Sequence, residues 1–221
     1  MISRCYILAV LIWTVPLTAQ LIDRSVAIVD DDSITESEVV SQLRLEALAN
    51  GEKAVDSAAV REQGLDRLID QRLIANDIRL TGLPAMSSEE RADLLAKLRM
   101  QSFGDLSFTN ALQEYGVTEE QALDFFARQV EFSRYVEFRF RTGQTVSDEE
   151  LEQAYRAKYG RTPNRDAPPL ELAAPQLRNE VLNTRVETLL EQHIRQLRAD
   201  HRVVRLERID RSALMKPGGA P

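Results

Sequence analysis

Cysteine is almost absent from this chain of 221 residues, which has a single one, Cys5, near its N-terminal end. One cysteine cannot form an internal disulfide, and the rest of the sequence offers no thiolate nucleophile or thiolate metal ligand. Glycine is scarce as well, with 9 residues, which excludes a collagen-like repeat. The composition, 43% hydrophobic and 29% charged, is that of one globular unit or two small ones.

The chain also lacks an excess of basic residues, since 28 Lys and Arg face 35 Asp and Glu and give a formal net charge of −7. No basic stripe overrules this average, so we predict no binding to nucleic acid. The sequence contains no glycine-rich phosphate loop and no nucleophile elbow. These absences leave few routes to common catalytic chemistry.

Candidate catalytic or metal-binding residues are equally few. The two histidines, His193 and His201, are eight positions apart, which is not the spacing of two ligands on one helix face. Asp30, Asp31 and Asp32 lack the spaced ligands of a calcium loop, and we interpret them as a solvated turn. We therefore predict that the protein is not an enzyme and that it uses no cofactor and no metal.

The first 19 residues have the features of a signal peptide. Arg4 precedes an apolar run from Cys5 to Val15, Pro16 ends the run, and Ala19 supplies a small residue for cleavage. Leu17 is large for its position, so an uncleaved anchor is the alternative. The run is shorter than the about 20 residues that span a bilayer. We predict export and cleavage, with no stable membrane insertion afterwards.

Helix start signals recur along the rest of the chain. Each places a hydroxyl residue three positions before Glu or Gln, which is the pattern of a capping box. The four pairs are Thr35 and Glu38, Ser87 and Glu90, Thr118 and Gln121, and Ser147 and Glu150. Together with the apolar periodicity they predict seven helices: Thr35–Asn50, Ala58–Thr81, Ser87–Phe103, Ser107–Tyr115, Thr118–Arg141, Ser147–Tyr159 and Gln176–Asp200.

Two short β-prone runs lie at opposite ends of this helical body. Asp23–Val29 and Arg202–Glu207 would each leave their backbone groups unpaired, so we predict that they pair with each other. Four prolines lie between Gly160 and Gln176 and predict an extended linker. The predicted organisation is a signal peptide (1–19), a helical module (20–159), a linker (160–175), a C-terminal helix and strand that complete the module (176–210), and a flexible tail (211–221).

The helix from Thr118 to Arg141 is apolar on two sides. One interpretation is a central core helix, buried on both sides. The other is that its second side lines a groove for apolar segments of another chain, since aromatic side chains offer a large contact area. The candidate groove residues are Phe132, Tyr135, Phe138, Leu123 and Tyr115.

Several segments of the chain together resemble one known family. The stretch from Leu21 to Glu38 has a strand, an acidic turn and a helix cap in that order, and Leu65–Leu73 follows as a second helix. These segments resemble the opening of the SurA-type periplasmic chaperones and the second helix of the same module. Val146–Leu151 with Tyr155 resembles the helix before the parvulin domain, and Arg185–Ala199 resembles the C-terminal helix. The family has one or two parvulin-type prolyl isomerase domains between those last two helices. Here the interval from Gly160 to Gln176 is too short for the about 50 residues of a domain.

The resemblance implies a mainly α fold, a multi-helix chaperone module completed by the C-terminal helix, with a small two-stranded antiparallel sheet. It also implies a periplasmic, ATP-independent holdase whose partners are unfolded outer-membrane β-barrel precursors. Their apolar side chains would enter a crevice between the N-terminal helices and the C-terminal helix. An alternative fills that crevice with Leu170 and Leu172 of the linker.

Two other functions stay open at this point. One is an adaptor or structural protein that docks a single folded partner or a second copy of itself. The other is a prolyl isomerase, which the missing domain disfavours. The sequence leaves the oligomeric state and the identity of the clients undetermined.

Overall fold

The structure is a computed structural model that describes residues 23–160 and 167–206. The predicted signal peptide, residues 161–166 of the predicted linker and the predicted tail lie outside the described residues. The described helices are α1 (Glu36–Asn50), α2 (Ala58–Thr81), α3 (Ser88–Met100), α4 (Phe108–Tyr115), α5 (Glu119–Val136), α6 (Asp148–Tyr159) and α7 (Leu170–Asp200). The strands are β1 (Ser25–Val29), β2 (Asp32–Thr35), β3 (Ser102–Phe103), β4 (Leu106–Ser107) and β5 (Val203–Arg205).

All four predicted capping boxes are present, at Thr35, Ser87, Thr118 and Ser147. In each one the cap hydroxyl accepts from the N3 amide, and the N3 side chain accepts from the cap amide. Two otherwise unpaired amides are thus satisfied at each helix start. The mainly α class is confirmed.

The predicted pairing of the two chain ends is confirmed as well. Strand β5 runs antiparallel to β1, with Ala27 opposite Arg205 and Val29 opposite Val203. The sheet nevertheless has three strands in the order β2-β1-β5, where we expected two. The predicted turn is confined to Asp30 and Asp31, and Asp32 already belongs to β2. The side chain of Ile34 is fully buried, and this burial favours the return of the chain along β1.

Three apolar clusters fill the interior. The first joins the sheet to α1, α2, α5 and α7, and the second lies among α1, α3, α4 and α5. The third joins α6 to the start of α7 through Leu151, Ala173, Ala174 and Leu177. Because α7 contributes to the first and third clusters, it is an integral part of the folded body.

Helix α7 begins at Leu170, six residues before the predicted start, so the linker prediction is wrong from that residue onward. Pro175 lies inside the helix, where it removes one backbone hydrogen bond. Burial of Ala173, Ala174 and Leu177 in the third cluster favours the helix despite that loss. Leu172 is 75% exposed on this helix, so it does not fill a crevice.

Two other predicted helices differ in part from the structure. The third stops at Met100, and the short β3–β4 hairpin follows, with Gly104 at a φ of 60° in its turn. The fifth changes at Glu137 into a π-helix that ends at Arg141. Residues five apart lie on different faces of an α-helix, but the wider π-helical turn brings the rings of Tyr135 and Phe140 to 5.8 Å. Both aromatic side chains therefore enter the core.

Candidate functional site

Asp77, Tyr135 and His193 form a polar cluster where α2, α5 and α7 meet. Oδ2 of Asp77 accepts from the Tyr135 hydroxyl, and it lies 2.9 Å from Nε2 of His193. The same His193 nitrogen is 2.9 Å from the Tyr135 oxygen. We place a proton on Nε2, which can then donate to both the Asp77 carboxylate and the Tyr135 oxygen. An unprotonated Nε2 would instead place its lone pair against the carboxylate. We call this cluster, with the Arg198 contacts below, the α7 seam.

Electrostatics in the seam favours an ionised Asp77. Burial by itself opposes this ionisation, but the hydrogen bonds from Tyr135 and His193 and the charge of Arg139 lower the pKa of Asp77 below its ordinary value. Burial and the neighbouring Asp77 raise the pKa of Tyr135. Tyr135 thus remains a neutral donor to a carboxylate. Phe140 packs on His193 with a ring separation of 5.6 Å, so the imidazole has an apolar contact as well as its hydrogen bonds.

Charged contacts hold the remainder of the C-terminal segment. Nε of Arg198 donates to Asp70 at 2.6 Å, and its guanidinium also donates to the main-chain oxygen of Asp66 at 3.2 Å. His201 Nδ1 lies 2.7 Å from Asp30 Oδ2, and this contact lowers the pKa of Asp30. The two histidines therefore attach α7 and β5 to the N-terminal half, and within the described residues no cluster suited to a metal ion was found.

The five candidate groove residues do not lie together. Tyr135 is fully buried in the first cluster, so it cannot line an open groove, and Phe132 packs against the same cluster. Leu123 and Tyr115 pack against the second cluster, where the Tyr115 hydroxyl donates to the main-chain oxygen of Glu52 at 2.8 Å. Phe138 is the exposed member, at 55%. The helix is apolar on two sides because it packs against two clusters.

Two clefts open instead between α1, α2 and α5. The larger, which we call the loop cleft, has a volume of about 440 Å³ and is bounded by the loop after α1. Its apolar lining residues are Leu43, Ala47, Ala49, Val55, Val60 and Phe125, and its polar ones are Glu46, Asn50, Glu52, Lys53, Arg67 and Gln129. Val55 is 60% exposed, whereas Phe125 is buried. This cleft offers apolar surface beside an accessible loop.

The smaller cleft, which we call the arginine cleft, has a volume of about 240 Å³. It is lined by Glu38, Ser41, Gln42, Leu45, Leu68, Gln71, Arg72, Ala75, Gln121, Asp124 and Arg128. Arg72 donates to Glu38 at 2.6 Å, and Asp124 accepts from Arg91. Burial is the main cause that lowers the pKa of Arg128, although part of its side chain remains exposed.

Sequence reasoning missed both clefts. None of the five candidate residues lines either one, and no described residue of α7 does so. The predicted crevice between the N-terminal helices and the C-terminal helix is therefore not where these clefts open. One signal was available, because Gln129 interrupts the apolar face of α5 and lines the loop cleft. A polar residue on an apolar helix face marks a place where packing is incomplete.

The fold and these clefts define a helical module that is closed by its own C-terminal helix and strand. A comparison with family profiles identifies which module it is: the profile of the SurA-like N-terminal domain matches residues 4–134. The chain therefore belongs to the SurA-like family, a family of periplasmic, chaperone-type proteins. No curated protein matches the chain in a sequence comparison. Among the described residues, no helix has the length and apolarity needed to cross a membrane.

The connection between α6 and α7 distinguishes this chain from relatives with an inserted enzyme domain. It runs from Gly160 to Pro169, far below the about 50 residues of a domain. Helices α6 and α7 instead pack directly on each other in the third cluster. No parvulin domain is present in this interval.

Proposed function

We propose that this protein is a non-enzymatic, ATP-independent holdase of the periplasm that binds unfolded exported proteins. Membership of the chaperone-type SurA-like family carries the proposal. The loop cleft supports it, because a concave site with both apolar and polar lining can accept varied peptide segments. Export through the N-terminal signal peptide belongs to the same proposal.

The clients that suit such a site are precursors of outer-membrane β-barrels. Their strands alternate apolar and polar side chains, and the apolar half is exposed to water before insertion. An extended segment of this kind could place apolar side chains against Val55 and Val60 while its polar side chains face the rim. The binding surface thus matches the chemistry of the clients.

Binding should be weak and reversible. A cleft of about 440 Å³ holds only a few side chains, and a disordered client loses conformational entropy when it is ordered. Several weak contacts along one client can still prevent aggregation, because each covers an apolar segment for part of the time. Such binding needs no nucleotide.

Light scattering tests the function. An unfolded β-barrel protein is diluted out of urea with and without the full-length protein, and we expect the protein to suppress aggregation in proportion to its concentration. The assay is repeated with several unrelated unfolded proteins. Protection of none of them would contradict a holdase, and one tight complex with a single folded partner would indicate an adaptor. Turnover of a prolyl peptide would instead support an isomerase.

A matched pair of variants tests the loop cleft. Val55→Asp places a charge in the cleft, whereas Leu80→Asp places one on α2 outside the residues that line it. Both side chains are well exposed, at 60% and 81%, so we expect little change in stability, within about 0.5 kcal/mol. Val55→Asp should weaken aggregation suppression about twofold or more, and Leu80→Asp should not. Equal suppression by both variants would contradict the assignment of the cleft.

A further inference from the structure

Arg128 is exceptional among the arginines around the two clefts. Arg67, Arg72 and Arg91 each pair with a carboxylate, whereas Arg128 makes no hydrogen bond or ion pair with any described residue. Arg128 lines the arginine cleft. Arg128 is exposed, so an anion in the cleft can reach its guanidinium without first displacing a carboxylate of the protein.

Arg128 is the one charged residue among those that line the arginine cleft that has no ion-pair partner within the described residues. Among the residues that line the arginine cleft, Arg72 is paired with Glu38, and Asp124 is paired with Arg91 outside it. The other lining residues are neutral. Burial lowers the pKa of Arg128 first, Arg72 and Arg91 lower it further, and Asp124 and Glu131 oppose this shift. Glu131 is not a lining residue, and its Oε1 accepts from the main-chain amide of Met86 at 2.8 Å.

These charges select the kind of anion. A doubly charged phosphate would meet the carboxylates of Glu38 and Asp124 in the same cleft, which disfavours it. A single carboxylate can pair with the one unpaired guanidinium and can accept two parallel hydrogen bonds from it. Gln71, Gln121 and Ser41 also line the cleft and can exchange hydrogen bonds with peptide amides. A carboxylate carried by a peptide therefore fits better than a free phosphate.

We propose that the arginine cleft binds a side-chain carboxylate of an unfolded client, with Arg128 as the residue that recognises it. This inference rests on the proposed holdase function and names a second contact for the same clients. We choose a side-chain carboxylate because internal Asp and Glu residues occur along a whole unfolded chain, whereas the C-terminal carboxylate of the chain occurs once. Helices α1, α2 and α5 contribute lining residues to both clefts. The clefts are adjacent on α5, where Arg128 lines one and the next residue, Gln129, lines the other. One client can thus place an apolar segment in the loop cleft and an acidic side chain in its neighbour.

A peptide titration followed by NMR tests the site directly. Three versions of one extended peptide of alternating apolar and polar residues are compared: blocked at both ends with a central Glu, blocked with Gln in place of Glu, and the Gln version with a free C-terminal carboxylate. We expect the Glu peptide to bind about fivefold more tightly than the blocked Gln peptide and to shift the Arg128 side-chain Nε–H signal. Equal affinity of the Glu peptide and the blocked Gln peptide would overturn the proposal.

Variants assign the effect to Arg128. Arg128→Gln should abolish the preference for Glu, Arg128→Lys should retain part of it, and the control Arg195→Gln on α7 should leave it unchanged. A preference that persists in Arg128→Gln would overturn the assignment. Stronger binding of the free-carboxylate peptide than of the Glu peptide would overturn the choice of a side chain as the source. Aggregation suppression by the wild-type protein is measured in parallel. If the wild type protects clients but binds the Glu and the blocked Gln peptides equally, the carboxylate site is refuted and the holdase function stands.

Discussion

The α7 seam and the two clefts are bordered by some of the same helices, yet they are built in opposite ways. In the seam the side chains of Asp77, Tyr135, His193 and Arg198 all have hydrogen-bonded partners, and those of Asp77 and His193 are both 14% exposed. In the clefts, exposed side chains such as Val55 and Arg128 have few contacts or no hydrogen-bonded partner. The contrast separates the seam, where hydrogen bonds fix one geometry, from the clefts, where side chains remain open to solvent.

Tyr135→Ser should have the largest effect on the seam. The substitution removes a fully buried ring, its packing on Phe140 and its hydrogen bond to Asp77. We expect a loss of about 4 kcal/mol in the free energy of unfolding, measured by urea denaturation. The control Phe138→Ser changes an exposed side chain of the adjoining π-helix and should change stability by less than about 1 kcal/mol. Similar losses in the two variants would contradict the placement of Tyr135 in the core.

Asp77→Asn should have an intermediate effect that depends on pH. The variant retains the shape of the side chain but loses the charged acceptor, and we expect a loss of about 2 kcal/mol at pH 6. Since the pKa of Asp77 is lowered in the folded protein, its contribution is present above the ordinary aspartate pKa and is lost as the pH falls through the folded value. The difference in unfolding free energy between wild type and variant should therefore shrink below about pH 4. A difference that is constant from pH 6 to pH 2.5 would contradict an ionised Asp77.

Pro175→Ala should have the smallest effect, and it should be stabilising. Alanine restores a backbone donor near the start of α7 and has a much higher helix propensity, so we expect a gain of about 1 kcal/mol. Hydrogen exchange of the amides in residues 170–177 should slow, while exchange in α5 should not change. Faster exchange in residues 170–177 would indicate that this part of α7 does not form the helix described above.

Local features of the fold could be predicted because their causes lie within a few residues. Thr35 and Glu38 are three positions apart, so their reciprocal hydrogen bonds are visible in the sequence. The start of α7 could not be predicted in this way. Pro175 indicates a linker, and the helix is favoured by tertiary packing of the segment against Leu151 of α6, which the local sequence does not reveal. The assignment of Tyr135 to the groove is wrong for a related reason, since an aromatic residue has the same pattern in a core as in a groove.

What the amino-acid sequence determined by itself was the helical class, the helix starts and the pairing of the chain ends, because these follow from short spacings and from backbone groups that need partners. Only the tertiary structure decided which surface stays open. Asp77 meets Tyr135 and His193 from 58 and 116 positions away, and the clefts are bounded by α1, α2 and α5 together. The exposure of a side chain such as Arg128 depends on how separate helices pack, and no local spacing in the chain encodes it.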